Sequence, residues 1–339
     1  MKLRLLPLHE QVMVITGASS GIGLVTARHA AAAGARVVLT ARNARALERA
    51  VQDIRHAGGR AVHVAGDVAD PRHVDAIADA ALGEFGRIDT WVNNAAVSMY
   101  GRIMQLAIED MRRQMDVNYW GQVHGSRVAV REMRRHGGAL VNVASALADR
   151  AIPLQGNYCA AKHAIKAFTD ALRMELEADG APISVTLIKP AAIDTPYKEH
   201  AKNYLDVKPE NPPPVYSPDA VAETILHCAE NPVRDVFVGA AAKAHSLLGK
   251  YAPRVADQIM ETTMLGQTRS GEPPVPTPLE GLYESNDPSL SERGTYDGPV
   301  AESSLYTKAS LHPVLTGAAV ALGAGLAYTF YAKRNARSH

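Results

Sequence analysis

The sequence has very little cysteine. Among 339 residues only Cys159 and Cys228 are present. Two cysteines are too few for a disulfide framework or for a multi-cysteine metal site, so neither a disulfide scaffold nor a bound metal is expected. A reducing, intracellular environment is consistent with this cysteine content.

The sequence also lacks a dominant charge. Its 36 basic and 35 acidic residues give a formal net charge of +1. Such a balance produces no field that would gather nucleic acid, so DNA and RNA are not expected partners. The N-terminus lacks a long apolar run because Pro7, His9 and Glu10 interrupt it. No secretory signal peptide is therefore predicted.

Apolar residues are abundant instead, at 47% of the chain, which is enough to bury a large core. Runs rich in Val, Ile and Leu alternate with helical patterns. They fall at about residues 12–16, 36–40, 61–65, 88–92, 139–144, 183–188 and 235–238. Continuous apolar strands separated by helices are typical of a parallel sheet that is covered on both faces. The predicted fold class is α/β, with a Rossmann-like, doubly wound parallel sheet.

A glycine-rich turn follows the first of these runs. Gly17 permits a sharp turn, Gly21 lets the backbone approach a pyrophosphate, and Gly23 allows the next helix to pack closely on the sheet. Free N–H groups at the start of that helix face the anion. The run from Val12 to Gly23 therefore predicts a dinucleotide-binding crevice.

Three later residues can carry out proton transfer. Tyr158 and Lys162 are four residues apart and share one face of a helix, while Ser145 precedes them at a strand end. Bringing a tyrosine pKa from about 10 to about 7 requires roughly 4 kcal/mol of preferential phenolate stabilisation. An ammonium at about 4 Å supplies roughly that amount at an effective dielectric of about 20. Lys162 is therefore expected to lower the pKa of Tyr158.

Taken together, these motifs resemble the short-chain dehydrogenase/reductase family in its ordinary branch, whose glycine pattern is T-G-x-x-x-G-x-G. The matches lie in family order over roughly residues 8–240. They are Thr16–Gly23, Asp67–Val68, Asn93–Ala96, Asn118, Ser145, Tyr158–Lys162 and Pro190–Thr195. The resemblance implies a seven-stranded sheet and a catalytic group of Ser145, Tyr158, Lys162 and Asn118. In this group the asparagine keeps a water in the proton relay.

The resemblance also implies a set of cofactor contacts. These are Gly17, Ser19, Ser20, Gly21, Ile22, Gly23, Arg42, Asp67, Val68, Asn94, Tyr158, Lys162, Pro190, Ile193 and Thr195. NAD-preferring relatives place an acidic residue at the end of the second strand, where this chain has Ala41. The following Arg42 can form paired hydrogen bonds with a 2′-phosphate. NADP(H) is therefore the expected cofactor, although Ser20 stands where the family often has a second basic residue.

The expected substrate is a lipophilic alcohol or ketone. Residues 191–216 are assigned to a substrate lid, and the expected pocket walls are mainly apolar: Met99, Tyr100, Leu147, Ile152, Pro153, Gln155, Tyr197 and Tyr204. Two alternatives stay open. A soluble 3-oxoacyl-carrier-protein reductase would need a basic patch around the cleft, and no dense one is visible in the sequence. A cofactor-binding scaffold without turnover would not need the intact Ser145, Tyr158 and Lys162.

The chain continues beyond the catalytic domain, which is assigned to residues 8–240. Residues 241–268 are predicted to be a helical extension, and the proline-rich residues 269–310 a linker without packed elements. Residues 311–331 contain no Asp, Glu, Lys or Arg. As a helix they would reach about 31 Å, close to the thickness of a bilayer core. They are expected to span a membrane, to lie at its interface, or to pack on another subunit. A cytoplasmic, membrane-associated catalytic domain is expected, and the resemblance implies a homodimer or homotetramer.

Overall fold

The computed structural model describes residues 3–269, 271–273, 281–285, 291–314 and 316–317 of the chain. Its strands are β1 (Val12–Thr16), β2 (Arg36–Ala41), β3 (Arg60–Ala65), β4 (Thr90–Asn93), β5 (Met99–Tyr100), β6 (Gly138–Val143), β7 (Ile183–Pro190), β8 (Ala192–Ile193), β9 (Lys202–Asn203), β10 (Val215–Tyr216), β11 (Asp235–Val238) and β12 (Val300–Ala301). The seven longer strands match the seven apolar runs of the sequence closely.

Helices connect these strands. They are α1 (Gly21–Ala32), α2 (Ala44–His56), α3 (Pro71–Phe85), α4 (Ile108–Met115), α5 (Gly121–Met133), α6 (Gly156–Ala178), α7 (Pro218–Glu230), α8 (Ala240–Tyr251), α9 (Pro253–Ile259), α10 (Leu265–Gln267) and α11 (Leu305–Leu311). Several begin at side chains that accept hydrogen bonds from the first helical turn, as Asn43 does for α2 and Ser217 for α7. A π-helical turn, Asp116–Trp120, joins α4 to α5.

The central sheet has seven parallel strands in the order β3-β2-β1-β4-β6-β7-β11. This arrangement confirms the predicted α/β class and the doubly wound sheet. The strand order reverses at β1, which pairs with β2 on one side and with β4 on the other. In open sheets of this kind, ligands bind outside the carboxyl ends of the strands at such a reversal.

Alternating residues of the first strand supply two separate cores. Met13 and Ile15 pack into the cluster that includes Ile225 of α7, whereas Val12 and Val14 pack into the cluster with Ile77 of α3. All four strand residues are fully buried. Complete burial of a large apolar side chain contributes roughly 1.5–3 kcal/mol. Both faces of the sheet are therefore sealed by helices, and the open edge at the carboxyl ends is left for function.

The described part of the proline-rich segment packs on the rest of the fold, which differs from the expected linker without packed elements. Strand β12 pairs in parallel with β10, which in turn pairs with β8. Farther on, the buried Thr307 accepts a hydrogen bond from the Gly239 N–H at 3.0 Å and donates one to the Phe237 carbonyl at 3.2 Å. Proline content predicts the absence of long regular elements, but it does not prevent a short strand and a capped helical turn from docking.

Residue 315 and residues 318–331 of the expected membrane segment lie outside the described residues. In the part of the chain that the structure describes, no helix combines the length and apolar character needed to cross a bilayer. Membrane association of the segment at 311–331 stays a prediction.

Candidate active site

The glycine-rich turn between β1 and α1 has no room for side chains at two of its glycines. Gly17 has φ +66°, and a Cβ added to it would lie 2.8 Å from the Ala95 Cα. A Cβ added to Gly23 would lie 2.2 Å from the Gly17 carbonyl oxygen. Both distances are too short for any side chain, so the backbone itself forms the surface of the turn. In dinucleotide-binding folds, bare backbone of this kind lets a pyrophosphate approach closely.

Hydrogen bonds lock the carboxyl ends of β1 and β4 together beside this turn. The Asn94 side-chain amide donates to the Thr16 carbonyl at 2.9 Å, and the Asn94 backbone N–H donates to Thr16 Oγ1 at 2.9 Å. Thr16 Oγ1 in turn donates to the Val92 carbonyl at 3.2 Å. The crevice between these strands is therefore rigid at its floor.

The Ser145, Tyr158 and Lys162 side chains are brought together at one cavity. Ser145 lies two residues beyond Val143, where β6 ends. Tyr158 and Lys162 lie on the first turns of α6. Lys162 Nζ donates to the Val143 carbonyl at 2.9 Å and lies 5.5 Å from the centroid of the Tyr158 ring. The three side chains are at most 9% exposed. The helical i, i+4 spacing thus places the phenol and the ammonium on one face, as the sequence predicted.

Burial dominates the acid–base properties of these two side chains. It raises the pKa of Tyr158 to about 12, although the neighbouring Tyr197 and Ser145 hydroxyls act in the opposite direction. Burial lowers the pKa of Lys162 to about 7. The expected depression of the tyrosine pKa is therefore absent in this structure, because desolvation disfavours both the phenolate and the ammonium. A protonated phenol at neutral pH is suited to donate a proton.

Asn118 lies beside the cavity but does not line it. Its side-chain Oδ1 accepts the Val97 N–H at 2.8 Å, and its Nδ2 donates to the Val97 carbonyl at 2.9 Å. The side chain is fully buried. Asn118 therefore fixes the peptide of Val97, which itself lines the cavity. Its role in holding a water stays a prediction.

Two arginines lie close together on the side of the crevice that is away from α6. Arg42 donates through Nη1 to the Leu282 carbonyl at 3.2 Å and through Nη2 to the Gly281 carbonyl. Arg113 pairs with Asp67 and donates through Nε to the Leu282 carbonyl at 3.1 Å. Burial lowers the pKa of the Arg42 guanidinium, and the nearby Asp67 carboxylate opposes this. Arg113 was not identified from the sequence, because no motif there connects α4 with Asp67.

A single cavity of about 710 Å³ runs from the glycine-rich turn to Ser145, Tyr158 and Lys162. The predicted cofactor and catalytic residues line it, with the exception of Gly23 and Asn118. Among the predicted pocket walls, Met99, Pro153 and Tyr204 do not contribute, whereas the following do: Tyr100, Leu147, Ile152, Gln155 and Tyr197. The Tyr204 hydroxyl instead donates a hydrogen bond to the Asp110 carboxylate. Met99 and Pro153 each lie next to a residue that does line the cavity, because side chains of adjacent residues point in different directions.

The helical extension supplies cavity walls that the sequence did not reveal. They are Ala241, Ala242, Ala244, His245, Leu248, Met260, Met264 and Thr268. Helical spacing indicated that this region would form a helix, but it carried no motif that pointed to the site. The cavity is therefore completed by a part of the chain outside the segment that carries the family motifs.

Residues 291–295 pass between the glycine-rich turn and the loop that follows β7. The Gly21 N–H, at the start of α1, donates to the Ser291 carbonyl at 2.9 Å. Glu292 pairs with Arg28 of α1 at 2.5 Å. On the other side, the Thr295 N–H donates to Glu199 Oε1 at 2.8 Å. This short stretch, which we call the strap, therefore touches both the glycine-rich turn and the loop that follows β7.

A seven-stranded parallel sheet with a glycine-rich turn at its strand reversal is the architecture of dinucleotide-binding oxidoreductases. A family profile described as short chain dehydrogenase matches residues 11–205. The chain belongs to the short-chain dehydrogenase/reductase family of oxidoreductases.

Known proteins resemble this chain over different lengths. It is 47% identical to an uncharacterized oxidoreductase, YxnA, of Bacillus subtilis over 323 residues, which cover 94% of this chain and 90% of that protein. The L-sorbose reductase of Gluconobacter frateurii, solved with NADPH and L-sorbose, is 29% identical with a TM-score of 0.60 and covers 70% of this chain and 97% of its own. A short-chain dehydrogenase/reductase of Burkholderia phymatum, solved with NAD, is 26% identical with a TM-score of 0.62 and covers 78% and 98%. The similarity to YxnA thus extends well beyond residue 240.

Proposed function

We propose that this chain is an NADP(H)-dependent oxidoreductase that interconverts apolar ketones and secondary alcohols. The observation that carries the proposal is that Ser145, Tyr158 and Lys162 open into the same cavity as the glycine-rich turn. One continuous space can therefore hold a nucleotide at one end and a carbonyl compound beside the phenol at the other.

Each catalytic side chain has a distinct task in reduction of a ketone. When bound in this crevice, NADPH would be the source of the hydride for the carbonyl carbon. Ser145 donates a hydrogen bond to the carbonyl oxygen and fixes its position. As the carbon–oxygen π bond breaks, Tyr158 transfers its phenolic proton to that oxygen. Lys162, in its protonated form, stabilises the phenolate that remains, and the Val143 carbonyl at 2.9 Å orients its ammonium.

The surroundings of Arg42 support NADP(H) as the cofactor. Arg42 follows directly after β2, and Ala41 provides no carboxylate that would repel a 2′-phosphate. The nearby Asp67 carboxylate is paired with Arg113. Paired N–H groups of arginine suit phosphate oxygens. Because solved relatives bind either NADPH or NAD, both cofactors belong in the test.

The character of the cavity wall supports an apolar substrate. Around the catalytic group the lining includes Tyr100, Ile152, Leu248, Met260 and Met264. Among the described lining residues, the only lysine and arginine are Lys162 and Arg42. Both are assigned to the cofactor and the proton transfer, which leaves no arginine or lysine of the wall to hold an anionic substrate. Apolar ketones bury their surface favourably against such a wall.

The test is oxidation of NADPH and of NADH by the purified full-length protein with apolar ketones and with small polar ketones. We expect turnover with NADPH and apolar ketones. Tyr158→Phe should lower kcat/KM roughly 10²–10⁴-fold, the usual contribution of a general acid. Tyr251→Phe is the matched control, because Tyr251 is 73% exposed on α8.

Three outcomes would contradict the proposal. Turnover confined to polar ketones would exclude the lipophilic substrate class, and a preference for NADH would exclude the cofactor assignment. Full activity in Tyr158→Phe would exclude the phenol as the proton donor.

A further inference from the structure

Two buried polar side-chain atoms of the helical extension have no hydrogen-bond partner among the described residues, and the residues that carry them line the cavity. His245 Nε2 and Thr268 Oγ1 are both buried, and neither bonds to any residue that the structure describes. Thr268 is 1% exposed, and both residues line the cavity. Buried polar atoms in proteins are almost always paired with protein, water or ligand. These two atoms therefore mark positions where a bound molecule can supply the missing partner.

The helix that carries His245 is fixed to the chain segment that follows Ser145. Ala242 packs with Ala146 in one apolar cluster. Ser246 Oγ donates to Asp149 Oδ2 at 2.7 Å. A Cβ added to Gly249 would lie 2.7 Å from Arg150 Cδ, so α8 lies directly against this segment. His245 is therefore held in a defined position relative to the catalytic serine, as a recognition group needs to be.

The surroundings of His245 select a neutral ligand group. Burial lowers the pKa of His245, the nearby Arg150 guanidinium lowers it further, and Asp149 opposes both. The imidazole is therefore neutral near pH 7, so it offers no charge to a carboxylate. A neutral ring nitrogen either accepts from a hydroxyl or donates to a carbonyl oxygen, depending on its tautomer. The adjacent wall, with Leu248 and Met264, suits the apolar remainder of the molecule.

We propose that His245 Nε2 binds a second, neutral oxygen group of the substrate while the reacting carbonyl lies at Ser145 and Tyr158. The substrate class is then an apolar ketone or alcohol that carries an additional hydroxyl or keto group away from the reacting carbon. This inference rests on the proposed function, because it assigns a second contact for the substrate in the same cavity.

The test compares unbranched methyl ketones of graded chain length, each with and without a hydroxyl at the far end. In the wild-type protein, the hydroxylated ketone should be preferred at one chain length by roughly tenfold in kcat/KM, equivalent to about 1.4 kcal/mol. In His245→Leu this ratio should fall to about one, mainly through KM. His245→Gln keeps a hydrogen-bonding group and should restore part of the preference.

His56→Leu is the matched control, since His56 is exposed at the end of α2. It should keep the wild-type ratio. A ratio of about one at every chain length in the wild-type protein would overturn the proposal, and so would a preference that persists in His245→Leu. Thermal melting of each variant shows whether it is folded. If His245→Leu is not folded, His245→Gln is used for the comparison instead.

Calorimetric binding of the same ketone pairs separates this inference from the proposed function. If no ketone is turned over with NADPH, the proposed function fails. Calorimetry still gives the dissociation constants of the plain and the hydroxylated ketone for each protein. Comparing their ratio in the wild-type protein with that in His245→Leu decides whether His245 recognises the second oxygen. Equal dissociation constants in the wild-type protein would overturn the inference.

Discussion

The proposed ketone reduction should slow as the pH rises above about 7, because the proposal assigns a protonated Lys162 to it. Lys162 is 1% exposed, and burial lowers its pKa to about 7, whereas burial raises the pKa of Tyr158 to about 12. The ammonium is therefore present below about pH 7 and lost above it. The phenol stays protonated over the same range, so the descending limb of the pH profile belongs to the lysine.

The expected size of the effect follows from the fraction of charged lysine. With a pKa of about 7, roughly half of Lys162 is charged at about pH 7 and roughly 1% at about pH 9. The kcat/KM for reduction should therefore fall roughly fiftyfold between these two values if only the charged form supports catalysis. Alcohol oxidation should respond differently, since it begins from the phenolate.

Initial rates of NADPH oxidation with one apolar ketone, measured at constant ionic strength from about pH 6 to about pH 9, test this reasoning. Lys162→Met should be slow and should show no descending limb near pH 7. Tyr100→Phe controls for another buried tyrosine of the cavity, whose pKa is also raised by burial, and should keep the limb at the same pH. A flat wild-type profile, or a limb that persists in Lys162→Met, would refute the assignment.

Further predictions concern the crevice and the strap. Gly23→Ala should abolish NADPH binding in calorimetry, because its Cβ would lie 2.2 Å from the Gly17 carbonyl oxygen; retained affinity would contradict the cradle. Gly83→Ala in α3 is its control and should stabilise the protein by up to about 1 kcal/mol in thermal melting, since no described atom lies within 4 Å of the added Cβ. Arg42→Ala should lower the NADPH-to-NADH ratio of kcat/KM by roughly tenfold or more; an unchanged ratio would exclude Arg42 as the phosphate ligand. Glu292→Gln should speed NADPH release in stopped-flow measurements, by no more than about fivefold because its ion pair is partly exposed; slower release would argue against the strap as a barrier.

The sequence predicts the sheet well because each long strand is a continuous apolar run. Buried parallel strands require such runs, and Val12–Thr16 is an example in which every residue is buried. Tyr158 and Lys162 were also predictable as neighbours, because four-residue spacing on a helix fixes a shared face. These features depend on local geometry, which a single sequence expresses directly.

The strap and the contacts of Arg42 could not be predicted in the same way. Arg42 donates to the backbone carbonyls of Gly281 and Leu282, and the Gly21 N–H donates to that of Ser291. A carbonyl is present at every residue, so the amino-acid sequence carries no signal for which one is used. The pKa of Lys162 was missed for a related reason, because the extent of burial depends on elements remote in the chain. The position of His245 likewise depends on how α8 docks.

The strap has a mechanical consequence. Its Ser291 end is bonded to the amide of Gly21, and a few residues later the same stretch enters the small sheet through β12 beside β10. One length of backbone therefore bridges the two halves of the cleft. We expect nucleotide exchange and movement of the residue 191–216 loop to occur in concert, so that a change in the Glu292 contact alters the kinetics of both.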